Sequence, residues 1–281
     1  MKYLITGKNG QLARAFIRRF EQQGIDHIAP EESSLDITNA RVVADGIGTL
    51  KPAVILNCAA YNLVDKAEQE REKAYAVNAK GPENLARAAA ATGAVMVHFG
   101  SDYVFDGLKE QGLYTEEDVV NPLNVYGKSK LAGEASVVKE HDRHLIFRLS
   151  WVFGDGQQNF IYKLRSWAES SDHLKIACDE FSVPTYTETV VDATLLALRQ
   201  GLIGRYHLTN SGFCSRYEWA KMVLTVLGIK KFIRPVSMDE FKLPAPRPKF
   251  SAMANERLSR KLDMNIPGWE EAVSSFLQQM R

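Results

Sequence analysis

Cysteine is scarce: Cys58, Cys178 and Cys214 are the only three in 281 residues. The number is odd, the spacing is wide and no Cys-x-x-Cys occurs. That excludes a disulfide framework or a zinc knuckle and leaves buried, reduced thiols. The six histidines show no metal-ligand spacing; His98 sits in an apolar run and reads as a satisfied core residue, and no metal is expected. Charge of one sign is also lacking. There are 35 basic and 34 acidic residues, a net charge of +1, which argues against a surface built to hold a nucleic-acid backbone. No apolar run reaches the roughly 18 residues of a membrane span. The start, Met1-Lys2-Tyr3-Leu4-Ile5-Thr6-Gly7, has neither a long apolar stretch nor a small-residue cleavage site. These absences predict a cytoplasmic protein with no membrane and no nucleic-acid partner. The remaining composition, 45% hydrophobic and 25% charged, is that of an ordinary globular chain long enough to bury a core without staples.

The first half of the chain alternates strand and helix signals. Apolar runs at 2–6, 26–29, 52–57, 94–98 and 144–149 read as short strands. A helix over 10–23 carries Leu12, Ala13, Phe16, Ile17 and Phe20 on one stripe and ends at Gly24. Long helical patterns cover about 66–91 and 126–140. Such alternation predicts an α/β fold with a doubly wound, mostly parallel sheet of the Rossmann type. From about residue 150 the pattern loosens into short strands at 174–178 and 205–208 and helices near 159–171, 187–200, 216–227 and 268–280. Pro244, Pro246 and Pro248 crowd a segment that must be a loop. The division expected is a domain over 1–150 and a smaller α/β substrate lobe over 151–281, with part of 180–205 returning to the first.

Small residues spaced by three, Gly7, Gly10 and Ala13, follow the first strand and open the first helix. Gly7 permits the tight turn, Gly10 lets a pyrophosphate approach the backbone, and Ala13 lets the helix lie close to the sheet. The helix start then offers free N–H groups and positive partial charge to phosphates. A glycine turn alone is weak evidence; its place between a strand and a helix strengthens it against an ordinary connecting turn. The acidic residue expected after the second strand, on the ribose hydroxyls, is Glu31 or Glu32, and either is equally a solvated loop charge. No arginine stands there for a 2′-phosphate, which favours NADH over NADPH. Asp36, ahead of another helix, is either an N-cap or a neighbour of the adenine.

Tyr126 and Lys130 are four residues apart, hence on one face of the predicted helix. A free tyrosine has a pKa near ~10 and is a poor acid at neutral pH, whereas a nearby ammonium lowers that value. The same lysine can hold the nicotinamide ribose. Ser101, at the end of the fourth strand, is placed to orient a substrate carbonyl against Tyr126, since ligands collect at carboxyl ends of parallel strands. Ser101 and Asp102 also suit a plain loop cap.

With these residues in hand the chain resembles an extended short-chain dehydrogenase/reductase, and more narrowly the dTDP-4-dehydrorhamnose reductases. The resemblance covers nearly the whole chain. It runs through Gly7-Lys8-Asn9-Gly10-Gln11-Leu12, Asn57-Cys58-Ala59-Ala60-Tyr61, Val64-Asp65-Lys66-Ala67-Glu68, Ser101-Asp102-Tyr103-Val104-Phe105 and Pro122-Leu123-Asn124-Val125-Tyr126-Gly127. It continues with Arg148-Leu149-Ser150-Trp151-Val152, Asn159-Phe160, Pro184-Thr185, Arg247-Pro248 and Trp269-Glu270. It implies that Gly10, Gln11 and Leu12 touch the cofactor, NADPH or NADH, and that Asp36 and Ile37 meet the adenine. Ala59, Ala60 and Tyr61 would line the cofactor, and Ser101, Tyr126 and Lys130 would form the catalytic set. Asp102 and Trp151 would contact the sugar or nucleotide, and Arg247 is a candidate phosphate or base-side contact. Asn78 matches a family asparagine and is equally a structural hydrogen-bonding residue. The implied reaction is reduction of the 4-keto group of a dTDP-6-deoxy-hexulose to dTDP-L-rhamnose for a surface polysaccharide, with a homodimer left open.

Some positions depart from the family pattern. Ser101 stands where threonine is usual, Ala13 where a third glycine is frequent, and Glu180 and Ser182 where glutamine and glycine are usual. A carboxylate at Glu180 would repel a diphosphate, which leaves open a different nucleotide sugar. Two rivals remain: an epimerase or reductase acting on another nucleotide sugar, and a non-catalytic NADP-binding subunit. The presence of Ser101, Tyr126 and Lys130 together speaks against the latter.

Overall fold

The computed structural model describes residues 1–280. Six strands form the main sheet: β1 Tyr3–Thr6, β2 His27–Ile28, β3 Val54–Asn57, β4 Val95–Ser101, β5 His144–Leu149 and β6 Gly204–His207. Their order is β2-β1-β3-β4-β5-β6 and every pairing is parallel. All four residues of β1 and of β3 are buried, because a parallel sheet has helices on both faces and its strands are apolar throughout. From β1 the chain steps outward to β2, then returns to β3 on the other flank of β1. The carboxyl ends of β1 and β3 therefore open a crevice where the winding reverses.

Alternation along the strands sorts the core. Leu4, Ile55, Met96 and Ile146 face one layer, packing with Val43 and Ile47 of helix α2 (Ala40–Leu50), Leu85 and Ala89 of α3 (Gly81–Thr92) and Val137 of α4 (Val125–Glu140). Ile5, Leu56, Val97 and Phe147 face the other, with Phe16 and Phe20 of α1 (Gln11–Gln23) and Val190 and Val191 of α5 (Thr187–Arg199). Gly24 ends α1 in the left-handed conformation, as its place in the sequence predicts.

The single long helix expected over 66–91 is broken. The chain instead makes short helices at Val64–Ala67 and Arg71–Tyr75, a π turn over Ala76–Lys80, and then α3. Pro82 has no N–H to give the Asn78 carbonyl, so the α ladder cannot pass through. The π turn also faces a close neighbour: a Cβ on Gly133 of α4 would lie 2.1 Å from Asn78 O.

Beyond β5 lies a second apolar cluster, with Phe153, Ile161, Leu164, Tyr186, Trp219, Val223, Val273 and Phe276 at its centre. Helices Phe160–Ser170, Arg216–Val226 and Trp269–Gln279 surround three two-stranded ribbons. One ribbon pairs Phe232–Val236 with His173–Ala177; the former strand escaped the sequence pattern, as did the helix Glu256–Leu262. That helix and α5 pack on the main sheet, where Leu258, Leu262 and Val190 share a core with Tyr206 of β6. Residues 244–248 form no helix or strand. Among the described residues no helix is long and apolar enough to cross a membrane.

Candidate active site

The β1–α1 turn shows why each small residue is needed. Gly7 has φ +67°, and a Cβ there would lie 2.7 Å from the Ala59 backbone. The turn thus touches the exit of β3. Gly10 N donates to Gly7 O at 2.9 Å, and Gly10 caps α1 without any side-chain bond or first-turn acid. By contrast, α2 and α4 are capped by the Asn39 and Asn124 side chains. The first N–H groups of α1 are left for an anion, so these residues fit a dinucleotide pyrophosphate. The Leu12 and Ala13 side chains point into the core, so their contribution at the turn is backbone alone. Gln11 reaches outward, its Nε2 donating to Val152 O at 2.9 Å.

The flanks of the turn are polar. Glu31 Oε1 lies 2.7 Å from Lys8 Nζ, and Oε2 accepts from Asn9 Nδ2 at 3.3 Å. The Lys8 contact holds the Glu31 carboxyl below its usual range. Glu32 is exposed. Asp36 Oδ1 accepts from Thr38 N at 2.9 Å and Thr38 Oγ1 at 2.7 Å, so Asn39 rather than Asp36 caps α2. Ile37 is buried against Gly81. Ala59 and Ala60 are half-buried at the exit of β3. Tyr61 follows, its N donating to Asn78 Oδ1 at 2.8 Å and its O accepting from Asn78 Nδ2 at 3.0 Å. Asn78 Nδ2 also donates to Ser129 Oγ at 3.0 Å, bracing this loop against α4. That is the structural role.

Ser101 ends β4; its Oγ accepts from Tyr103 N and donates to Asp102 Oδ1, both at 3.2 Å. Tyr126 opens α4 with its hydroxyl 3.4 Å from Asn62 Oδ1 and its ring edge-on to Tyr103. Lys130 lies one turn along, its Nζ donating to Phe99 O of β4 at 2.6 Å. Burial pulls the Lys130 ammonium down to about 8, and Glu134, another turn along, opposes that. Burial pushes the Tyr126 phenol up to about 12, while the neighbouring Ser101 hydroxyl pulls the other way. The expected lowering by Lys130 is not what the structure has. Its ammonium is spent on a carbonyl, and the dominant effect on Tyr126 is desolvation. The phenol therefore keeps its proton at neutral pH.

Asp102 is a buried hub. Its Oδ2 accepts from Ser150 Oγ at 3.0 Å, Ser182 Oγ at 2.9 Å and Ser251 Oγ at 2.7 Å. Burial raises its pKa and the four serine hydroxyls oppose the rise. Three of these donors lie far from it in sequence, so the carboxylate ties the end of β4 to residues 150, 182 and 251. Trp151 has φ +39° and stacks on Trp219 at 5.6 Å, with Arg216 3.6 Å above its ring. Arg216 Nε donates to Glu180 Oε2 at 3.2 Å. The Glu180 carboxylate is thus neutralised in place, which removes the repulsion expected from it. Arg247 makes a two-pronged pair with Asp65 at 3.0 and 2.8 Å and also donates to Ala245 O. Together with Asn124 Nδ2 donating to Pro246 O, this straps the proline-rich loop beside the start of α4.

The sequence model of the family described as RmlD substrate binding domain matches residues 1–281. A dTDP-4-dehydrorhamnose reductase from Clostridium acetobutylicum superposes with a TM-score of 0.96 at 36% identity, covering 100% of this chain and 99% of that one. The chain belongs to the dTDP-4-dehydrorhamnose reductase family. A second reductase structure of the family, from Bacillus anthracis in complex with NADP, has a TM-score of 0.95 at 34% identity and covers 99% of both chains. The spore coat polysaccharide biosynthesis protein SpsK of Bacillus subtilis is 34% identical over 278 residues, 99% of this chain and 97% of its own length.

Several residues of this family member escaped the sequence reading. Asn62 beside Tyr126, the donors Ser150 and Ser251 on Asp102, and Arg216 on Trp151 carry no local spacing that announces them. Their signal is contact across 48 to 149 positions. Asp65 stood within a family segment, yet its partner lies 182 residues away. Arg148, fully buried on β5, pairs with Glu134 at 2.8 Å. A Cβ on Gly100 would lie 2.4 Å from that carboxylate, so Gly100 makes room for the pair behind Lys130.

Proposed function

We propose that this protein reduces the 4-keto group of dTDP-4-dehydro-L-rhamnose to give dTDP-L-rhamnose for a surface polysaccharide, using NADPH or NADH in the cytoplasm. The observation that carries the reading is the meeting of Ser101, Tyr126 and Lys130 at the carboxyl end of β4, beside a glycine turn that fits a dinucleotide. When bound, the nicotinamide supplies the hydride delivered to C4 of the sugar. Gly7, Gly10 and the uncapped start of α1 hold the pyrophosphate, while Ala59, Ala60 and Tyr61 wall the cofactor cleft. Tyr126 holds a proton on its hydroxyl and gives it to O4 as negative charge develops there. Ser101 Oγ sits beside that hydroxyl and orients the carbonyl oxygen. The Lys130 ammonium, anchored on Phe99 O, would hold the nicotinamide ribose. Burial keeps this phenol protonated but makes it a weaker acid, so its proton moves only as charge builds on O4.

The test is to incubate the protein with NADPH and dTDP-4-dehydro-L-rhamnose, then quantify cofactor and sugar by chromatography. One NADPH consumed per dTDP-L-rhamnose formed is the expected outcome. An epimerised sugar with the cofactor returned unchanged would overturn it.

A further inference from the structure

Two arginines flank the mouth of the site, and they differ in what remains of their donors. Each guanidinium has five N–H groups. Arg247 commits both terminal nitrogens, to Asp65 and to Ala245 O. Arg216 commits only Nε, to Glu180, and both of its Nη groups meet no protein acceptor. Its side chain is nevertheless four-fifths withdrawn from solvent, at 20% exposure. Its guanidinium lies 3.6 Å from the Trp151 ring and also faces Phe160 at 5.2 Å and Trp219 at 5.6 Å, and its own N–H donates to Glu180 O. Both arginines, with Glu180 and Asp102, act on the phenol of Tyr103, whose ring packs edge-on against Tyr126. A preorganised fork with free donors matches the geometry of a phosphate.

We propose that Arg216, rather than Arg247, grips the diphosphate of the nucleotide sugar, and that Glu180 is the positioning residue that keeps its guanidinium stacked on Trp151. The assignment rests on the nucleotide-sugar reading of the site. Arg247 then serves the strap: its charge is spent on Asp65.

The experiment is calorimetric titration of thymidine and dTDP into wild type, Arg216→Gln, Glu180→Gln and Arg247→Gln, with NADPH affinity as the check on folding. Arg216→Gln is expected to shrink the preference for dTDP over thymidine by roughly 10- to 100-fold, the value of charge-assisted hydrogen bonds, with thymidine itself little changed. Glu180→Gln is expected to shrink it less, and Arg247→Gln to weaken both ligands alike. An unchanged preference in Arg216→Gln, or its loss in Arg247→Gln, overturns the assignment. Should Arg216→Gln fail to bind NADPH, Arg216→Lys replaces it: a selective loss for dTDP supports the proposal and an equal loss for thymidine contradicts it. If wild type prefers UDP or GDP to their nucleosides but ignores dTDP, the substrate reading fails. The arginine assignment is then judged on that diphosphate in the same way.

Discussion

The two walls of the cleft are built by different means. On the β1–α1 side the groups that face the ligand are backbone N–H groups, and the residues that matter are those with little or no side chain. On the far side the surface is made of side chains that hold one another: Arg216 on Trp151, Arg247 on Asp65, and three distant serines on Asp102. The first wall is specified over about ten consecutive positions and depends on close approach. The second is specified by pairs far apart in the chain and depends on charge and stacking. Damage to the first should therefore act through the fold and the cofactor, and damage to the second through the substrate and the joining of segments.

Gly7→Ala should show the largest effect. A left-handed non-glycine residue combined with a Cβ 2.7 Å from the Ala59 backbone is expected to cost about 2–4 kcal/mol of stability. NADPH binding should weaken with it, read by thermal unfolding and fluorescence titration. Asp102→Ala comes next. Removing a buried acceptor of four hydroxyls should cost about 2–3 kcal/mol, by denaturant unfolding. Because burial raises the Asp102 pKa, the native state binds that proton more tightly than the unfolded chain. This group's contribution to stability therefore falls as pH rises above the ordinary value of 3.8. Asp102→Asn should remove that slope.

How far each wall was legible in the sequence follows the same divide. The strands, α1 and the glycine turn are local patterns, so period and spacing announce them. Ser101, Tyr126 and Lys130 sit at the ends and faces of those same elements, with the Ser101 hydroxyl beside the Tyr126 phenol and Lys130 bonded to the strand that carries Ser101. The break in the 66–91 helix was missed because Pro82 reads as an acceptable helix start, while the close approach of Gly133 to the Asn78 carbonyl joins residues 55 positions apart. The pairing of Glu180 with Arg216 was missed because an isolated carboxylate reads as a net charge. The lowering of the Tyr126 pKa expected from Lys130 is absent because burial dominates that phenol, and the i, i+4 spacing says nothing about where Lys130 points.

Smaller perturbations sharpen the contrast further. Arg247→Gln should leave the fold intact but loosen the strap, seen as faster tryptic cleavage at Lys242. The Arg247 guanidinium holds the Asp65 carboxyl below its ordinary value, so the strap's ion pair should persist above that lowered value and be lost as pH falls through it. Smallest of all, Glu31→Gln should leave the melting temperature unchanged while shifting the ratio of NADPH to NADH affinity severalfold toward NADPH. Removing the carboxylate frees Lys8 for a 2′-phosphate, and an exposed ion pair of this kind contributes little to stability.

Tyr126 is the proposed proton donor, in a site whose binding walls stand without it. The measurement that tests it most directly is single-turnover NADPH oxidation at saturating dTDP-4-dehydro-L-rhamnose, comparing wild type with Tyr126→Phe. The expected rate is lower by about 10²- to 10⁴-fold, with NADPH and dTDP affinities unchanged. A Tyr126→Phe variant that turns over near the wild-type rate would contradict it.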